Sequence, residues 1–175
     1  TCTLIRVDDP RNAFAKLLEA YSQIKNNKTG IEQPSFISKT AKLGENIYIG
    51  AFAYVGDNAK IGNNVKLFPD VFVGDNVVVH RHVLLDDRGG ISLGDRVSVS
   101  DYVNIYSHTH SIVEQKEVTN ARTVLEADVR ITYHATVLAG VHVAENSMVG
   151  AMALATKDVR PYHVYVGIPA KSVRV

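Results

Sequence analysis

The sequence predicts an all-β solenoid, a stack of short strands and turns whose core runs along one axis. Three observations predict it. An aliphatic residue recurs every six positions, at Ile37, Leu43, Ile49, Val55, Ile61, Leu67, Val73, Val79 and Leu85. A second small or apolar residue stands four positions after each, at Ala41, Ile47, Ala53, Ala59, Val65, Val71, Val77 and Val83, with Gly89 closing the series. Glycine follows the lead residue at Gly44, Gly50, Gly56, Gly62 and Gly74. A period of six matches neither a helix at 3.6 nor a plain strand at 2, so it is a repeat.

Each unit reads as a short strand and a bend. The lead aliphatic points inward and the glycine is placed at the bend, where a residue without Cβ costs least strain. Asp57-Asn58, Asn63-Asn64 and Asp75-Asn76 suit turns, because their side chains bond nearby backbone and tolerate left-handed conformations. One hexad is too small to bury its own face, so successive coils must bury one another. A meander of hairpins is disfavoured, since hairpins rarely hold one phase over so many units.

Residues 1–30 lie outside the repeat. Asp9 before Pro10 is an N-cap followed by proline at the first helical position. Phe14, Leu17, Leu18, Tyr21 and Ile24 then form one apolar stripe, predicting a helix that caps the open solenoid end. Asn26 and Asn27 end it, and Gly30 follows. The β domain spans 31–175. Its phase breaks twice. After Leu85 the next lead residue is Leu93, with the extra residues in the turn-rich stretch 86–90. Val99 and Ile105 follow, and lead residues resume at Leu125, Ile131, Val137, Val143, Val149 and Ala155. The stretch 108–122 reads as a loop pushed out of the coil, and an excursion from a regular scaffold is where function concentrates.

The chain of 175 residues suits one domain. Lysine plus arginine is 19 and aspartate plus glutamate 18, which gives no electrostatic case for nucleic acid or an anionic membrane. No apolar run approaches the ~18 residues of a membrane span. The start, Thr1 to Arg6, has no initiator methionine and does not read as a signal peptide. Cys2 is the single cysteine and cannot form an internal disulfide, so a cytoplasmic location is expected.

The hexad pattern resembles the hexapeptide-repeat acyltransferase superfamily. That resemblance implies a left-handed parallel β-helix, three hexads per coil, and a homotrimer. Val7 to Lys16, then Gly30-Ile31 and Pro34 to Ile37, is similar to the entry into the helix of the UDP-3-O-acylglucosamine N-acyltransferases of lipid A synthesis. The likeness covers about residues 4 to 79. In those enzymes a nucleotide-binding domain precedes this point. Their catalytic histidine motif has no clear counterpart further along, so this resemblance carries the front of the scaffold and not the substrate.

From Leu93 onward the chain resembles sugar O-acetyltransferases of the galactoside, maltose and serine acetyltransferase group. The family places a catalytic histidine five residues past a lead residue, at the root of an extended loop. His110 is five past Ile105, so the resemblance implies His110 as general base. An imidazole titrates near neutrality and can accept a proton from an attacking hydroxyl or amine. His108, on the same loop, is expected to orient the acceptor or to exchange roles with His110.

Val149 to Val159, then Gly167-Ile168-Pro169-Ala170-Lys171, is similar to the family's coenzyme A-binding terminus. The motif implies Ala151 and Thr156 on the pantetheine arm, and Lys157, Lys171 and Arg174 at the phosphates, where cationic donors fit. There are departures: Thr132, Ala144 and Met152 stand where glycine is usual, and Tyr133 is bulky where a small residue is common. On the donor channel these would narrow or reshape it, which opens a longer acyl donor or an acyl carrier protein beside acetyl-CoA. His80 and His82 flank Arg81 on a surface turn and, with Asp86 or Asp87, are candidates for the acceptor site of a neighbouring chain.

These readings combine into an acyltransferase that moves an acyl group from a thioester, such as acyl-CoA as co-substrate, to a hydroxyl or amine of a sugar or nucleotide-sugar. No permanent cofactor and no metal are expected. Two alternatives stand beside it. The γ-class carbonic anhydrases share the fold and bind zinc with three histidines, and His80, His82, His108 and His110 are available in number. His80 and His108 occupy different phases of the hexad, which argues against their stacking. A scaffold with a decayed site is the other.

Overall fold

The computed structural model describes residues 9, 13, 28–86, 88–111 and 118–173. The chain winds as a parallel β-helix with three sheets, one per side of each coil. Sheet I stacks Ile31, Ile49, Leu67, Leu85, Ile105, Val137 and Ala155. Sheet II stacks Ile37, Val55, Val73, Leu93, Leu125 and Val143. Sheet III stacks Leu43, Ile61, Val79, Val99, Ile131, Val149 and Tyr165. Apart from Ile31 and Tyr165 at the ends, these columns are the lead residues of the hexads, so the six-residue period is the side of a coil.

From Ile49 to Ala155 every lead residue is buried, as are the partners four positions on, apart from Gly89 and Thr109 at the two phase breaks. The core is thus a continuous aliphatic rod, and Ser147 is the one polar partner in it. Packing loosens at the first coil, where Ile31 and Leu43 are exposed and Ile37 is half-buried. The helical cap expected over that end lies outside the described residues, except for Asp9 and Ala13, where the Ala13 N–H donates to the Asp9 carbonyl at 3.0 Å.

Strands of two or three residues are held by the coil above, not by length. The Gly50 N–H donates to Leu67 O at 2.8 Å, and the Ser98 N–H to Val129 O at 2.9 Å. The glycines after the lead residues are needed for this approach. A Cβ on Gly62 would lie 2.8 Å from the His80 carbonyl carbon and 2.9 Å from the Arg81 nitrogen. The bend itself falls two residues later, and there asparagine, aspartate and bulkier residues adopt positive φ: Asn58 55°, Asn76 57°, His82 56°, Tyr102 61°, Met152 60°. The expectation of glycine at the bend is therefore corrected: glycine serves close approach, and the left-handed position tolerates side chains because they point to solvent. Backbone bonds to the adjacent coil hold it, as from Tyr102 N–H to Arg81 O at 3.2 Å.

Leu85 sits at the middle of sheet I with no exposed surface. Leu85→Ala is expected to cost about 2–5 kcal/mol, read as a lower urea midpoint. A midpoint unchanged from wild type would contradict a rod-like core.

Candidate active site

Each coil normally takes 18 residues, as Leu67 to Leu85 and Val137 to Ala155. Leu85 to Ile105 takes 20 and Ile105 to Val137 takes 32. The surplus leaves the helix at one place, the corner between sheets I and II. The short insertion joins Leu84–Asp86 to Ile91–Leu93, and the long one joins Asn104–Tyr106 to Thr123–Leu125 on the next coil. Two coils further on, past Leu138 and Ala139, Thr156 opens the same corner after Ala155.

The long insertion departs as an antiparallel arm, not an irregular loop: His108–His110 pairs with Val118–Asn120. Its root is pinned by two buried hydroxyls, Ser107 and Thr123. Ser107 Oγ accepts from the Arg88 and Gly89 N–H groups, each at 2.9 Å, which ties the short insertion to the long one. The Thr123 hydroxyl donates to Tyr106 O at 2.6 Å and accepts from the Gly140 N–H at 3.1 Å. Gly89 is where the layers meet: a Cβ there would lie 2.7 Å from the Ala121 nitrogen.

A cleft of about 240 Å³ opens at this corner, lined by Tyr106, His108, Thr109, Leu138, Ala139 and Thr156. The fold thus brings His108 and Thr156, from separate motifs, to the lining of one cleft. The His108 side chain is only 8% exposed, with Nδ1 3.8 Å from Asp86 Oδ2. His110 lies two residues along the same strand, exposed, its ring edge-on to His108 with centroids 5.4 Å apart. Lys157 follows Thr156 and is exposed. The tail folds back beside this coil, the Ala170 N–H donating to Leu154 O at 2.8 Å, which leaves Lys171 exposed at the start of Lys171–Val173. Arg174 and Asp87 lie outside the described residues.

The remaining candidates line the other edge of sheet I. His80 and His82 are exposed at the corner between sheets III and I, and Ala151 is exposed on a turn of that corner three coils on. His80 Nδ1 is 3.9 Å from Asp101 Oδ1. Asp101 is held below the usual carboxylate range: burial acts against this, and hydrogen bonds from Arg81 outweigh it. The rings of His82, Tyr102 and His134 stack face to face, centroids 4.9 Å apart at each step. Tyr133 meets His134 edge-on, and Met152 is exposed on the next turn. The Thr132 hydroxyl donates to Val149 O at 2.8 Å. The departures Thr132, Tyr133 and Met152 therefore gather at this second corner and leave the cleft walls untouched. Among the described residues no three His, Cys, Asp or Glu side chains of one chain converge as a metal-binding group.

Sequence reading did not single out Ser107 and Thr123, and it named Asp86 only as an alternative to Asp87. The signal for the corner was present: both phase breaks follow a whole number of coils, so both had to leave from the same side.

No family model matches the chain. A UDP-3-O-acylglucosamine N-acyltransferase of Christiangramia forsetii is 65% identical over 52 residues, 30% of this chain and 15% of that enzyme. A putative serine acetyltransferase of Schizosaccharomyces pombe is 35% identical over 91 residues, 52% of this chain and 34% of that protein. The matched stretch thus spans a small part of these relatives' length. Among solved structures, AntD, an N-acyltransferase from Bacillus cereus in complex with dTDP and 3-hydroxybutyryl-CoA, superposes with a TM-score of 0.57 at 20% identity, over 89% of this chain and 87% of that one. The polysialic acid O-acetyltransferase OatWY superposes at 0.56 and 21% identity, over 80% and 83%. The chain has the β-helix fold of these acyltransferases. Among the described residues no helix is long and apolar enough to cross a membrane.

Ser107→Ala would strip the Arg88 and Gly89 N–H groups of this buried acceptor, an expected loss of about 1–3 kcal/mol. Hydrogen exchange should quicken at 88–90 and 118–121 while the rod around Val143 stays protected; uniform protection would show that Ser107 does not anchor the insertions.

Proposed function

We propose that the chain is an acyltransferase that moves an acyl group from a thioester donor such as acyl-CoA to a hydroxyl or amine of a sugar or nucleotide-sugar. The observation that carries this reading is the shared lining of the corner cleft. Thr156, from the terminal motif that resembles a coenzyme A site, faces the same space as His108, from the histidine arm. AntD and the UDP-3-O-acylglucosamine N-acyltransferases, to which the chain is similar, are by name N-acyltransferases, which supports the transfer chemistry.

The roles follow from chemistry. One of the two arm histidines takes the proton of the acceptor as it attacks the thioester carbonyl; the resemblance favours His110. A backbone N–H holds the oxyanion, a contribution of about 3–4 kcal/mol in enzymes where it has been removed. The carbon–sulfur bond then breaks and the thiol leaves. Thr156 contacts the pantetheine arm with Ala151, and Lys157, Lys171 and Arg174 meet the phosphates. At about 240 Å³ the cleft is smaller than an ordinary ligand pocket of roughly 300–1,000 Å³. This supports completion by a second copy, in the homotrimer of left-handed helices that the resemblance implies, with His80, His82 and Asp87 of the neighbouring chain closing the acceptor side and its Ala151 meeting the pantetheine arm. An acyl carrier protein is the other donor compatible with this geometry, and a cytoplasmic enzyme with no permanent cofactor fits the reading.

Calorimetric titration of metal-free protein with coenzyme A and acetyl-CoA is expected to show saturable, stoichiometric binding per chain. Joint replacement of Lys157 and Lys171 by alanine should weaken it at least tenfold. Absence of binding by wild type would remove acyl-CoA as the donor.

A further inference from the structure

We infer that Asp86 fixes the tautomer of His108, so that His108 is preset as the proton acceptor of the cleft and His110 is left to contact the acceptor. The inference rests on the acyl-transfer reading for its chemistry, but its geometry stands alone. Nδ1 of His108 is the one buried side-chain nitrogen or oxygen among the described residues without a hydrogen-bond partner. A carboxylate oxygen, Asp86 Oδ2, stands 3.8 Å from it. A bare lone pair on Nδ1 would face the carboxylate and be repelled; an N–H there is attracted. The hydrogen therefore belongs on Nδ1, and in the neutral ring Nε2 carries the lone pair. The ring lines the cleft that Thr156 also lines. With Nδ1 sealed, Nε2 is the nitrogen that can meet a ligand.

Asp86 is well placed to hold this arrangement. Its backbone carbonyl accepts from the Ser107 N–H and hydroxyl, each at 3.2 Å, one residue from His108. The 3.8 Å gap is longer than a hydrogen bond, so the inferred contact requires a side-chain rotation that shortens it. His110, by contrast, is exposed and touches His108 ring edge to ring face.

The step balances. Nε2 of His108 takes the proton from the acceptor O–H or N–H as that atom bonds to the thioester carbon. The carbon–sulfur bond breaks with its electron pair on sulfur. The imidazolium then returns the proton to the thiolate, which restores His108 and releases free thiol.

The test is nitrogen-15 NMR of the histidine rings at alkaline pH, with His108→Ala for assignment. The expected result is a pyrrole-type Nδ1 and a pyridine-type Nε2 for His108, reversing toward Nε2–H in Asp86→Ala and unchanged in His110→Ala. A wild-type ring in the Nε2–H form overturns the inference even if Asp86→Ala does not fold, and so does an Nδ1–H form that survives Asp86→Ala. Added coenzyme A should shift His108 Nε2 more than the ring of His142. Coenzyme A that binds without moving His108 overturns its role while leaving the acyl-CoA reading intact. Coenzyme A that does not bind overturns the acyl-CoA reading and the catalytic role together, whatever the tautomer.

Discussion

Everything in this structure depends on the parallel ladder between coils. A strand of two residues cannot hold itself; it persists because its N–H and C=O groups bond the coils above and below. A slip of one residue would turn the aliphatic column outward and the polar positions inward. The chain can therefore lengthen only at a corner, and only if it rejoins all three sheets in register. It does so twice, after Leu85 and after Ile105, and both times at the corner between sheets I and II.

Concentrating the irregularity in one place is what makes a site. Elsewhere the corners are tight turns stacked in columns, such as the rings of His82, Tyr102 and His134. At the irregular corner there is room for a cleft, and the polar groups that line it need fixed partners. Ser107 and Thr123 provide these by capping backbone groups that the insertions leave outside the ladder. The regular rod supplies rigidity, and buried hydroxyls carry that rigidity to the base of the histidine arm. Asp86, the last strand residue before the short insertion, is in register with Tyr106 and so stands below the arm, 3.8 Å from His108.

The rod was legible in the sequence because its signal is periodic: each lead aliphatic from Ile49 onward, read by phase alone, is buried. The breaks were legible as breaks. The arm read as a loop, because His108 to His110 and Val118 to Asn120 have no apolar face to betray a strand pair. Ser107 and Thr123 looked like ordinary polar residues, since nothing local marks a hydroxyl as buried. The approach of Asp86 to His108, at 3.8 Å, crosses a whole coil; it follows from the register of Asp86 with Tyr106, which depends on where the surplus residues leave. The glycines were read for conformational freedom, whereas close packing of neighbouring coils explains them. His110 emerged by resemblance, and the burial of its neighbour His108 could come only from the fold.

The central claim is that the corner between sheets I and II is the working site, with His108 and Thr156 facing one ligand. Hydrogen exchange of the protein with and without coenzyme A tests it most directly. Protection confined to 105–109, 138–140 and 155–158 is the expected result. Protection centred instead on 80–83 and 101–103, with the other corner unchanged, would contradict it.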